Sequence, residues 1–400
     1  MKKTTLKTRL WALAATLLLL VSLLALPVSA ENKPVTGGTF DFNKYLVMNS
    51  NANVPNNVEF GFKIDAGNPV DAGSGQQKIY AGIVKKTGET ITAPTVTKAT
   101  FSYNTDNNNT QNGLPTDDGT ATKNKKYATD EVTVNFSGIE FTAPGIYRYT
   151  ITEATPTQSG IAIEGTETRT LDVYVQYKNT ASEGEPPDYS ESELEVSGYV
   201  LYNGTENFSD ANKSDGFTNT YTTYDLTLTK NVTGNQGDRD KYFEFTVNIA
   251  GAVNGTVYTV DLSNADRSPS VDGTTKSNPA SLTATEGSVT GTYYLKSGQS
   301  IKIQGLTEDT EYTISETSYS ADGYTTIYKI DNGTEVTSNA TPSENNAMGT
   351  SHHTVTFTNS KSGSVPTGIL LETAPYLILG AVVVAGLVVL FATRRRRTRE

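Results

Sequence analysis

Tyr224-Asp225-Leu226-Thr227-Leu228-Thr229-Lys230 alternates apolar and polar side chains until a lysine arrives on the apolar side. Side chains of a β-strand point to opposite faces with period two, so Lys230 shares a face with Leu226 and Leu228. An ammonium on a buried face is costly unless it neutralises or reacts. The pattern occurs twice. In residues 40–44, Lys44 points with Phe40 and Phe42. Each lysine is followed, in the same order, by a glutamate and an asparagine placed alike. Glu153 points with Tyr149 and Ile151, and Asn219 with Phe217. Later, Glu316 points with Ile314 and Asn359 with Phe357. A one-residue slip would turn any of these side chains to the opposite face.

The surrounding sequence reads as all-β. Turn dipeptides such as Asn112-Gly113, Asn203-Gly204, Asn254-Gly255 and Asp322-Gly323 separate short alternating segments, among them 58–64, 171–177 and 243–249. That punctuation signals sandwiches or barrels. No amphipathic helix stands out in the body, which is long enough for two domains with real cores. Residues 31–222 form the first and 223–360 the second. Only two or three residues separate the strand ending at Tyr221 from the one starting at Tyr224, which predicts a stiff rod. Residues 104–126 and 179–195 read as long solvated loops, surface insertions first and binding loops second.

The two ends place the body outside the cell. Lys2, Lys3, Lys7 and Arg9 precede an apolar run over 10–26 and a small-residue cleavage site at Val28-Ser29-Ala30. Residues 1–30 are therefore expected to be a secretory signal peptide. A second apolar run, 376–392, reads as a transmembrane segment, and the arginine-rich tail 393–400 as its cytoplasmic side. The chain carries −11 overall, with +4 in residues 1–30 and +3 from 368 onward, leaving −18 for the body. Such a surface excludes nucleic acid as a partner. The 400 residues contain no cysteine, so disulfides do not stabilise this exported chain.

A lysine in an apolar core loses pKa and becomes a nucleophile, while a buried glutamate gains pKa and can donate a proton. A carboxamide whose oxygen receives that proton becomes electrophilic. Lys44 with Asn219, and Lys230 with Asn359, would then form amides with loss of ammonia, Glu153 and Glu316 acting as acid/base groups. Each bond would join the first strand of a domain to the last. By loop closure it would stabilise the domain by about 5 kcal/mol. The competing reading makes each lysine a strand end with a solvated head. Lys241, in phase with Phe243 and Phe245, is a weaker rival to Lys230.

The stretch 226–235, with Asp240-Lys241-Tyr242-Phe243-Glu244-Phe245, resembles the second domain of major (backbone) pilins of Gram-positive bacteria. Residues 147–153 and 217–221 resemble parts of the first. These pilins, of the FctA or T-antigen type, are tandem immunoglobulin-like domains with self-formed Lys–Asn isopeptide bonds. Val365-Pro366-Thr367-Gly368 resembles a cell-wall sorting signal cut by sortase, departing from the common Leu-Pro-x-Thr-Gly form. Residues 361–375 would be a flexible tether carrying that motif.

The resemblance implies cutting between Thr367 and Gly368 and transfer of Thr367 to a lysine of the next copy. Lys213 resembles the linking lysine in position, with Lys178 as alternative. The implied partners are a pilin-class sortase, copies of the chain itself, accessory pilins and peptidoglycan. A singly wall-anchored adhesin whose loops bind host surface ligands is the alternative function. An enzyme reading finds little support: His352 and His353 are the only histidines, and Gly-x-Ser-x-Gly and His-Glu-x-x-His are absent. No cofactor and no metal are implied.

Overall fold

The computed structural model describes residues 32–73, 77–87, 90–115, 124–182, 185–338, 345–363, 379–391 and 394. The expected signal peptide, the Thr367-Gly368 cleavage point and most of the basic tail lie outside these residues. Of the apolar run, residues 379–391 are helical with their large side chains exposed. Among the described residues, no helix is long and apolar enough to cross a membrane.

The chain is mostly β. Its first half rests on seven main strands: β1 (Thr39–Asn49), β2 (Phe62–Ala66), β3 (Lys125–Asn135), β4 (Gly145–Glu153), β5 (Thr168–Asn179), β6 (Tyr189–Asn203) and β7 (Gly216–Tyr221). The second half has eight: β8 (Tyr224–Thr233), β9 (Phe243–Ala250), β10 (Val257–Asn264), β11 (Ser288–Leu295), β12 (Ser300–Leu306), β13 (Glu311–Glu316), β14 (Thr325–Ile330) and β15 (His353–Ser360). Two separate hydrophobic clusters divide along the same line.

In the first half, one sheet contains the run β3-β1-β7 and its companion the run β6-β5-β4-β2. In the second half, β10-β12-β8-β15-β14 faces β11-β9-β13. Most pairs are antiparallel, but β7 runs parallel to β1 and β15 parallel to β8. The entry and exit strands of each half are thus direct neighbours. A parallel pair needs a long return connection, and here the rest of each half supplies it. The registers also match. Lys44 sits opposite Phe217 and Lys230 opposite Phe357, with the asparagine two residues further along in both cases. Two residues restore the same face, so lysine and asparagine point into one core.

Some local expectations change. Residues 58–64 split at Gly61, because Val58–Phe60 pairs with Ala99–Phe101 whereas β2 pairs with β4. The 104–126 segment opens with a helical turn, Tyr103–Asp106, running into Asn107–Asn109. The 179–195 loop is shorter than expected, since Asn179 already pairs with Tyr189.

Only Thr222 and Thr223 separate β7 from β8. Residues 49–56, which follow β1, bridge that connection. Asn51 donates to both carboxylate oxygens of Asp225, at 3.3 and 3.2 Å. Asn53 donates to Thr259 Oγ1 at 3.2 Å, and the Asn56 amide to Thr256 Oγ1 at 3.0 Å. Ala52 and Val54 are fully buried beneath these contacts.

The β1/β7 contact has no room for a side chain at Gly216, where a Cβ would lie 1.7 Å from the Asn43 carbonyl oxygen. Gly216→Ala is expected to push β7 off β1 and lower stability by about 3 kcal/mol. Denaturant unfolding measures this; an unchanged midpoint would show that the parallel pairing tolerates displacement.

Candidate functional site

β1 places Lys44 between Phe42 and Leu46 on its buried face, β4 brings Glu153 across from the companion sheet, and β7 carries Asn219 beside β1. All three side chains are essentially removed from solvent. Lys44 Nζ lies 2.8 Å from Glu153 Oε1 and 3.0 Å from Oε2. Asn219 Nδ2 donates to the same Oε1 at 2.8 Å. Amine and carboxamide therefore share one oxygen atom and are neighbours. The second half repeats this with Lys230, Glu316 and Asn359, equally buried. Lys230 Nζ is 2.7 Å from Glu316 Oε1, which also accepts from Asn359 Nδ2 at 3.2 Å.

Both lysines sit among aromatic rings rather than water. Lys44 Nζ lies 4.6 Å from the Phe60 ring centre, and Lys230 Nζ 4.2 Å from that of Phe243. Burial pushes the pKa of each amine down from the usual lysine value to about 8, against the opposing pull of its glutamate. Burial likewise raises the Glu316 carboxyl, although Lys230 pulls it the other way. The Lys230 ammonium approaches Glu316 closely but makes no well-aligned hydrogen bond.

The Oδ1 atoms of Asn219 and Asn359 are buried without a hydrogen-bond donor among the described residues. A buried orphan acceptor of this kind costs about 1–3 kcal/mol. A proton moved from lysine to glutamate, with the amide turned over, would supply each Oδ1 with an O–H donor.

Two neighbours were not singled out from the sequence. Thr326 Oγ1 donates to Glu316 Oε2 at 3.2 Å. Arg169 is buried above the Phe217 ring and donates to the Gly216 carbonyl at 3.1 Å, holding the start of β7. Its positive charge adds a smaller push to the lowering of the Lys44 pKa. Arg169 shares parity with Leu171 and Val173, so the reading that found Lys44 would also have found it.

The remaining candidates lie apart from both clusters. Lys241 pairs with Asp322 at 3.0 Å outside the second core. Lys213 follows a short helical turn, Asp210–Asn212, and pairs with Asp210 at 2.8 Å. Lys178 is half-exposed, 3.9 Å from Glu193. His353 bridges Asp331 and the Met348 carbonyl, and His352 Nδ1 accepts from the Asp225 amide.

Residues 81–222 match the FctA family, described as a Spy0128-like isopeptide containing domain, and 224–361 match a domain of unknown function. A curated pilin of Streptococcus pyogenes serotype M1 is 28% identical over 360 residues, covering 88% of this chain and 89% of that protein. The crystal structure of the major pilin from Streptococcus pyogenes is similar in fold. It has a TM-score of 0.53 at 22% identity, covering 82% of this chain and 100% of that one.

The lowered lysine pKa has a definite pH signature. Between about 8 and the unfolded value near 10.5, the folded chain binds fewer protons than the unfolded chain, so stability rises with pH. In Asn359→Ala no carboxamide remains to react with Lys230. Its stability relative to the double variant Lys230→Met/Asn359→Ala should therefore rise from pH 8 toward pH 10, by at most about 1.4 kcal/mol per unit. Urea unfolding at stepped pH checks this; a flat difference would place the amine in water.

Proposed function

We propose that this chain, a structural pilin of the Streptococcus pyogenes major-pilin type rather than an enzyme, is the shaft subunit of a covalent cell-surface pilus. In this reading each half is an immunoglobulin-like sandwich in a stiff rod, closed by one Lys–Asn amide. The carrying observation is the sharing of a single buried glutamate oxygen by amine and carboxamide, in both halves.

The chemistry follows from the surroundings. The ammonium of Lys44 or Lys230 passes a proton to its glutamate, a transfer favoured where neither charge is solvated. The turned amide then receives the Glu O–H on Oδ1, which makes its carbon electrophilic. The neutral amine attacks that carbon, the C–N bond to the asparagine nitrogen breaks, and ammonia departs with the protons relayed by the carboxyl group. The glutamate ends as a neutral carboxyl group, keeping the proton it took from the ammonium, after one turnover on its own chain. Enclosure of the three groups supplies the proximity.

The placement of the bond explains its use. Lys44 and Asn219 lie on adjacent parallel strands at the entry and exit of the first half, and Lys230 and Asn359 do so in the second. Tension entering one strand leaves through its neighbour without loading the rest of the sheet. Polymerisation would use the other chemistry: a pilin-class sortase cuts between Thr367 and Gly368 and joins Thr367 to Lys213, or alternatively Lys178, of the next copy. Accessory pilins and peptidoglycan complete the surface assembly.

The intact mass of the mature chain should fall about 34 Da below its sequence mass, one ammonia of about 17 Da per amide. Glu316→Ala should restore about 17 Da and remove about 5 kcal/mol of stability from the second half. Full mass in the parent chain would remove the mechanism. Separately, Lys213→Arg should collapse the polymer ladder of wall extracts to monomer. A ladder intact in both Lys213→Arg and Lys178→Arg would place the acceptor on another lysine, whereas a parent chain that gives no ladder would favour a singly anchored adhesin.

A further inference from the structure

The turn Gly234-Asn235-Gln236-Gly237 directly follows β8, and its first two residues close the stretch that carries the family resemblance, yet it takes no part in the amide chemistry. Instead it grips the chain leaving β15. The Lys361 amide donates to the Thr233 carbonyl at 3.1 Å, and the Gln236 amide to the Lys361 carbonyl at 3.0 Å. The Asn235 side chain then treats Gly363 as a strand neighbour would. Its Nδ2 donates to the Gly363 carbonyl and its Oδ1 accepts from the Gly363 amide, both at 2.9 Å.

Steric limits at the turn agree with this role. Gly234 has φ +89°, and a Cβ there would lie 2.1 Å from the Lys361 carbonyl oxygen. Left-handed backbone and close approach together require glycine. On the other side, the Lys361 ammonium sits 5.5 Å from the Tyr324 ring centre, and Tyr324 Oη accepts from the Asp238 amide. The start of the expected flexible tether is therefore held.

We infer that the 234–237 turn is a cradle for residues 361–363, with Asn235 the positioning residue that shortens the junction between successive copies. The inference rests on the polymerisation reading. Thr367 is four residues beyond Gly363, a reach of at most about 14 Å, and releasing 361–363 would add about 10 Å. A short, directed junction brings the next copy against the end of the second half, where a longer one would behave as a loose hinge. The cradle thus limits bending at a place in the fibre that neither internal amide reaches.

Asn235→Ala removes both side-chain hydrogen bonds, and Asn235→Asp removes the donor alone. In the chain ending at Thr367, the Gly363 amide should exchange with solvent about tenfold faster in Asn235→Ala. Asn235→Asp should fall between it and the parent. Neither variant should change the intact mass or the Tm. An unprotected Gly363 amide in the parent would overturn the cradle. In sortase-built polymers imaged by electron microscopy, the Asn235→Ala persistence length should be at least about twofold shorter, with the ladder retained. Equal persistence lengths, or a ladder lost only in the variants, would overturn the stiffening role. A parent that forms no polymer would instead sink the polymerisation reading, and the exchange result would still decide the cradle.

Discussion

Glu153 and Glu316 each carry an amine and a carboxamide on one oxygen atom, inside cores closed off from bulk solvent. Leaving such a group unpaired would cost several kcal/mol, so lysine, glutamate and asparagine are held as a unit. The arrangement is poorly satisfied as an ion pair, because each asparagine Oδ1 is left without a donor. It becomes well satisfied once the proton moves and the amide turns. On the proposed chemistry, the unfavourable ground state and the reactive geometry would be the same feature.

The parallel pairing of entry and exit strands makes that unit possible. An antiparallel return would put a different residue opposite each lysine and would usually come from a near neighbour in sequence. Here the exit strand arrives after the rest of each half has been laid down, and it meets the entry strand with the same two-residue offset both times. Long-range closure carries a large entropic cost in the unfolded chain, which is the cost a covalent link removes. Gly216 in the first half, with Arg169 gripping its carbonyl, shows how closely the two strands must approach.

Between the halves, Asn51, Asn53 and Asn56 turn the end of β1 into a set of hydrogen-bonding side chains against the second half. Beyond β15, Asn235 performs a comparable task for the departing chain. Asparagine serves in both places because its amide offers a donor and an acceptor together, as a peptide unit does. In a chain without cysteine, these amide contacts and the enclosed clusters take up work that secreted domains often give to disulfides.

Period-two alternation was enough to show that Lys44, Glu153, Asn219, Lys230, Glu316 and Asn359 face apolar cores, because parity along a strand is a local property. Arg169 was legible by the same rule. What alternation does not contain is which strands become neighbours. The shared glutamate oxygen, the orphaned Oδ1 atoms, the Thr326 contact and the break at Gly61 depend on pairing partners more than a hundred residues away in some cases and on sheet-to-sheet distance in others. So does the grip of Asn235 on Gly363, 128 residues downstream. Local alternation put these lysines, glutamates and asparagines on buried faces, while tertiary structure decided that they would meet.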